Sequence, residues 1–128
     1  MFEVPGKVRG KQRARIFFDG NSGKMRGKTP EQTVNYENWV KMCFLQKYRQ
    51  VEPTSEPLEV HISAFFVRPK SNKKKEPVTV RTDLDNIAKS ILDALNGLVY
   101  VDDRQVVRLH ASKEWGDVER VWVQIKVM

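Results

Sequence analysis

Disulfide bonds are excluded within this chain, because Cys43 is the single cysteine among its 128 residues. That usage suits a reducing compartment, and a buried, inert thiol is the expectation for Cys43. No apolar run approaches the length of a membrane span. The opening Met-Phe-Glu-Val-Pro-Gly lacks the basic-then-apolar layout of an export signal. The expected location is therefore cytoplasmic, with no membrane partner. Internal repeats, interdomain linkers and coiled-coil heptads are also lacking, and the length favours one domain over residues 1–128. Acid is scarcer than base: 16 Asp and Glu stand against 23 Lys and Arg, a net charge of +7. A basic domain of this size suggests a polyanionic partner.

The positive charge is clustered. Lys7, Arg9, Lys11, Arg13, Arg15, Lys24, Arg26 and Lys28 face one nearby acid, Asp19. A second run holds Arg68, Lys70, Lys73, Lys74, Lys75 and Arg81 against Glu76. Both read as phosphate-binding surfaces, and residues 69–80 read as an exposed basic loop. Solvated surfaces that aid solubility would look similar, but here two basic clusters flank one acidic centre.

Turn residues at Asp19-Gly20-Asn21-Ser22-Gly23 predict a hairpin joining Val8–Phe18 to Lys24–Lys28. Thr29 as N-cap, Pro30 at the first helical position and Gln32 in a capping box predict a helix from about Pro30 to about Arg49. Val34, Trp39, Met42, Leu45 and Tyr48 form its imperfect apolar stripe. Alternation over Leu58–Val67 predicts a strand. A second helix spans about Asp83 to Asn96, stopped by Gly97. Val99–Val101 is a short extended piece. Gln105–Trp115 and Val118–Val127 read as a closing pair of strands joined near Gly116-Asp117. The expected fold is α+β, a mixed or antiparallel sheet with two packed helices. His61 and His110 fall on strands, at the surface or core edge rather than as ligands. Trp39, Trp115 and Trp122 read as packing residues. Phe65 and Phe66 are candidates to reach unstacked bases.

The segment Arg81–Gly97 carries the chemistry. On a helical wheel Leu84, Ile87, Ala88, Ile91, Leu92, Leu95 and Leu98 gather on one side, while Asp85, Lys89, Asp93 and Asn96 gather on the other. Asp83 and Asp85 would point about 200° apart inside a helix. They share a target only if the chain is extended at Asp83 and turns helical near Asp85. A helix cap at Asp83 and a Lys89 salt bridge explain the same residues without chemistry. Asp102 and Asp103 form a second acidic point, which alone reads as a polar turn. Gathered in a basic protein, these carboxylates repel one another unless a hard divalent cation, Mg²⁺ or Mn²⁺, offsets their charge.

Three pieces, Asp83-Leu-Asp85-Asn86-Ile-Ala-Lys89, Leu92-Asp93-Ala94-Leu95-Asn96-Gly97 and Val101-Asp102-Asp103-Arg104-Gln105-Val106, resemble the RusA family of Holliday junction resolvases in spacing and order. The resemblance implies a small homodimeric, Mg²⁺-dependent endonuclease of bacterial or phage origin. Such an enzyme nicks four-way DNA symmetrically, in recombination or repair, and uses no small-molecule cofactor. It assigns catalysis to Asp83, Asp85, Asp103 and Lys89, and metal binding to the three aspartates with Asp102 assisting. DNA contacts would come from Lys7, Arg9, Lys11, Arg13, Arg15, Lys70, Lys73, Lys74, Lys75 and Arg81. The helix with Trp39 and Tyr48, or the strand face with Trp122, would form the dimer interface. A non-catalytic DNA-binding module, a nuclease for other branched DNA or RNA, and a binder of an acidic partner are the alternatives.

Overall fold

In chain order the regular elements are β1 (Phe2–Pro5), β2 (Arg15–Asp19), β3 (Lys24–Lys28), α1 (Glu31–Tyr48), β4 (Leu58–Val67), α2 (Leu84–Leu95), β5 (Val106–Gly116) and β6 (Arg120–Val127). A 3₁₀ turn at Asp103–Gln105 precedes β5. The structure is a computed structural model. It describes all residues except 13, 14, 29, 50, 71–76 and 80, and describes Arg15, Phe17, Asp19 and Arg26 by their backbone only.

A four-stranded sheet has the order β1-β6-β4-β5, and β2 pairs with β3 in a separate hairpin. The sheet is mixed: β4 runs parallel to β5 and antiparallel to β6. A parallel pair needs a crossover, and α2 lies within it. The period of two in β4 sends Leu58, Val60, Ile62, Ala64 and Phe66 to a buried face and Glu59, His61, Ser63 and Phe65 to a half-exposed one. Ile87, Ile91, Ala94 and Leu95 of α2 and Val40 and Phe44 of α1 join the buried residues in one core with Val121 and Val123. Each large apolar side chain so enclosed contributes about 1.5–3 kcal/mol relative to exposure. Among the described residues no helix is long and apolar enough to cross a membrane.

Four expectations need correction. β5 and β6 do not pair, because β4 lies between them. The three residues between them suffice to step over one strand, since an extended chain covers about 3.3–3.6 Å per residue. Gly116 allows the crossing: a Cβ there would sit 3.2 Å from the Phe65 side chain. Second, Val8–Gln12 is not a strand; the hairpin begins at Arg15. Third, α1 buries Thr33, Tyr36, Val40, Cys43 and Phe44, and leaves Val34, Trp39, Met42, Leu45 and Tyr48 partly exposed. Apolar residues occur all round this helix, so the stripe did not reveal the inner side. Fourth, Pro30 occupies the cap position of α1, without a side-chain cap, and Gln32 lies against Gln12 and Arg9 instead. Thr29, the expected cap, lies outside the described residues.

Candidate active site

Asp83 stands just before α2 with φ −62° and ψ 138°, which is extended backbone, and Leu84 begins the helix. The chain therefore changes conformation between Asp83 and Asp85, as a shared target for the two carboxylates requires. Asp83 occupies the cap position, yet its side chain makes no cap hydrogen bond. The simplest structural explanation for that residue is thereby removed. Asp85 and Asp83 are both exposed at the helix start, where the free N–H groups favour negative charge. Lys89 and Asp93 follow on the same side of α2 at four-residue intervals.

The segment after α2 folds back along that side. Gly97 adopts φ 82°, and its N–H donates to Tyr100 O at 2.8 Å. Tyr100 is fully buried and its hydroxyl donates to Leu92 O at 2.5 Å. Thr54 holds the strip from the other side through Thr54 N to Val99 O and Val101 N to Thr54 O. Asp102 then caps the 3₁₀ turn: its carboxylate accepts from Arg104 N at 3.1 Å, and its own N–H donates to Gln105 Oε1 at 2.8 Å. The Gln105 amide is fixed in turn by Thr54 O and Glu56 O. Asp103 is thus carried by a small, fully tied turn.

The electrostatics follow from this closeness. Partial burial and the neighbouring Asp102 and Asp93 carboxylates raise the Asp103 carboxyl above its ordinary value, while Lys89 acts the other way. The Asp102 carboxyl is lowered, chiefly by the Arg104 N–H that it accepts. Asp103 therefore lies within electrostatic reach of α2's Lys89 and Asp93. The set offers oxygen donors alone, the chemistry that hard cations such as Mg²⁺ take. Among the described residues, however, the aspartates do not form a triad with ligand atoms within 4.8 Å of one another.

The basic N-terminal segment lies over the start of α2. Lys11 N donates to Asn86 O at 2.9 Å, and Ser90 Oγ donates to Arg9 O at 3.1 Å. Gly10 sits so close that a Cβ would fall 2.3 Å from Thr82 Cγ2. Lys7 and Arg9 border a groove of about 470 Å³ with Tyr36 and Trp39. The partly buried Lys11 ammonium is instead engaged within the protein surface, 2.8 Å from Glu37 and 3.2 Å from Asp93. From β5, Lys113 reaches Thr82 O at 3.3 Å. Lys70 and Arg81 are exposed. Arg13, Lys73, Lys74 and Lys75 lie outside the described residues, as does the side chain of Arg15.

Other sequence expectations divide. Cys43 is buried, and burial pushes its thiol up. Phe66 is buried and unable to meet a base, while Phe65 packs edge-on against Trp122. No local pattern marks Gly10, Tyr100 or Lys113 as supports of the site, because each acts through a tertiary contact. The tie from Gln105 to Thr54 has the same origin.

Against known proteins, the family described as endodeoxyribonuclease RusA matches residues 5–126. The uncharacterized protein YqaN of Bacillus subtilis (strain 168) is 32% identical over 116 residues, covering 82% of this chain and 81% of that protein.

Proposed function

Because the chain belongs to the endodeoxyribonuclease RusA family, we propose that it resolves four-way DNA junctions by paired, symmetric nicks that depend on Mg²⁺ or Mn²⁺. The observation that carries this reading is the conformational break at Asp83. It would let two carboxylates two residues apart address one point beside the turn that bears Asp103. Asp83, Asp85 and Asp103 would hold the cation, with Asp102 assisting. The bound cation supplies an acidified water and charge for the leaving oxygen of a phosphodiester. Lys89, whose charge opposes the rise of the Asp103 carboxyl, would meet the scissile phosphate and offset its charge. Lys7 and Arg9 by the groove, with Lys70 and Arg81, would hold the DNA backbone rather than its bases. Paired nicks require two sites, so the working form would be a C₂ dimer.

The test compares a labelled synthetic four-way junction with a linear duplex of the same sequence, with Mg²⁺ and with EDTA. Paired nicks confined to the junction and to Mg²⁺ are expected. Asp83→Asn and Asp103→Asn should abolish cutting while junction binding persists, since removing negative charge leaves phosphate attraction intact. A variant that cuts at the wild-type rate refutes the assignment. Binding without cutting by the wild type would make this a DNA-binding module, and cutting of other branched DNA or RNA would move the substrate. A monomer in sedimentation at working concentration would overturn the dimer.

A further inference from the structure

The open face of the sheet carries a second group of metal-ligating side chains, which phosphodiester cutting does not use. Glu59 and His61 lie on β4, and His110 on β5 is the direct register partner of His61. The two imidazoles stack with centroids 4.4 Å apart and planes at 14°. Both Nε2 atoms meet one carboxylate oxygen: Glu59 Oε1 is 3.2 Å from His110 Nε2 and 3.5 Å from His61 Nε2. All three ligand atoms fall within 4.8 Å of one another, the closest grouping of this kind among the described residues.

Two features point beyond a hydrogen-bonded cluster. Ligand atoms each about 2.0–2.1 Å from a tetrahedral ion are about 3.4 Å apart; the two Glu59–imidazole separations lie on either side of that, and the stacked rings would tilt apart for both Nε2 lone pairs to reach one ion. Moreover, His61 Nε2 is buried and has no hydrogen-bond partner, although buried polar atoms are normally satisfied. Glu59 Oε1 is hydrogen-bonded to His110 Nε2 and stands 3.5 Å from His61 Nε2, which leaves that nitrogen in ion-pair range of the carboxylate but without a hydrogen bond.

We propose that Glu59, His61 and His110 bind Zn²⁺, with a fourth position open to solvent. Two imidazoles and one carboxylate select a borderline dication over Mg²⁺, which prefers oxygen alone. The site lies on the sheet face opposite the buried core, apart from the aspartates of α2. Bound there, the ion clips edge strand β5 to central strand β4. Arg108 on β5 and Lys126 on β6, the register partners of Glu59, are positive charges that oppose it.

The experiment uses untagged, full-length protein stripped with chelator. Zn²⁺ is titrated by calorimetry in excess Mg²⁺, which keeps the hard-cation ligands engaged. One Zn²⁺ per chain is expected, with a rise in Tm. Loss of two ligands in His61→Ala/His110→Ala should weaken binding by more than about a hundredfold, beyond what second-shell changes cost. Glu59→Gln should weaken it in the same direction while keeping the shape of the site. Asp83→Asn should leave Zn²⁺ affinity unchanged. Co²⁺ in place of Zn²⁺ should give the visible bands of a tetrahedral centre, lost in the His variants. Absence of Zn²⁺ binding by the wild type overturns the proposal, as does equal affinity in the wild type, the His variant and Glu59→Gln. Circular dichroism of each variant separates lost ligands from lost fold.

Discussion

Replacing Gly10 with alanine would test how the N-terminal segment is seated on α2. The added Cβ would fall 2.3 Å from Thr82 Cγ2 and 3.0 Å from Asn86 Cβ. Carbon atoms rest at about 3.5–4.0 Å, so the segment must lift by about 1 Å. Thr82 is β-branched and stiff at χ1, so the side chain cannot simply swing aside. Overpacking of this kind costs about 1–3 kcal/mol. Lifting also weakens the hydrogen bond from Lys11 N to Asn86 O, which contributes about 1 kcal/mol. Alanine returns about 0.5–1 kcal/mol by stiffening the unfolded chain. The net expectation is a loss of about 1.5–3 kcal/mol, roughly 5–12 °C in Tm for a domain of this size. Urea unfolding reads the energy, and Gly20→Ala is the control, because nothing lies within 4 Å of a Cβ there. It should gain about 0.5–1 kcal/mol from the same stiffening of the unfolded chain. Cleavage by Gly10→Ala should fall further than its stability implies, since Thr82 and Asn86 flank the two aspartates. Equal stability of Gly10→Ala and Gly20→Ala would refute this account of the contact.

Tyr100→Phe should cost about 1 kcal/mol in urea unfolding and slow cleavage. Leu92 O loses the phenol but keeps Asn96 N at 3.1 Å, so a loss above about 3 kcal/mol would mean the carbonyl had been left unpaired. Asp103→Asn should raise the Tm of chelator-treated protein at neutral pH. A carboxyl raised by folding opposes stability once pH exceeds its folded value and is neutral in effect below its unfolded one. The gain should therefore vanish below the ordinary aspartate value of 3.8, and an undiminished gain there would contradict the electrostatic cause. Lys11→Met removes partners from Glu37 and Asp93, both partly buried. It should lower stability by about 1 kcal/mol and raise the pH midpoint of Asp103 followed by NMR. Junction affinity should fall steeply with salt, and Lys7→Ala with Arg9→Ala should flatten the slope; an unchanged slope would remove the groove from the DNA surface.

Period-two alternation located β4, and the apolar arc of Leu84, Ile87, Ile91 and Leu95 located α2, because each buries one plain face. The break in conformation at Asp83 enters from sequence only as the condition for a shared target of two carboxylates two apart, and the helix begins one residue later than the pattern suggests. Strand partners were not legible. Gly116-Asp117 resembles a hairpin turn, and nothing local says that β4 must enter between the strands it joins. β1 spans four residues, Phe2–Pro5, too few for alternation to stand out. Lys11 looked like any other cation of the basic run, and its engagement by Glu37 and Asp93 depends on α1 and α2 meeting. The cluster of Glu59, His61 and His110 depends on the parallel register, which brings together residues 51 positions apart.

β6, which follows every other strand in the sequence, lies between β1 and β4. A ribosome that has already delivered the segment from Asp83 to Asp103 has not yet delivered the strand that covers one whole edge of β4. Until it does, β4 and β1 cannot be joined, and the core lacks Val121 and Val123, both fully enclosed in the finished fold. Pairing of such distant segments is also slow to form. The core that backs α2 is therefore completed only after most of the chain has been synthesised.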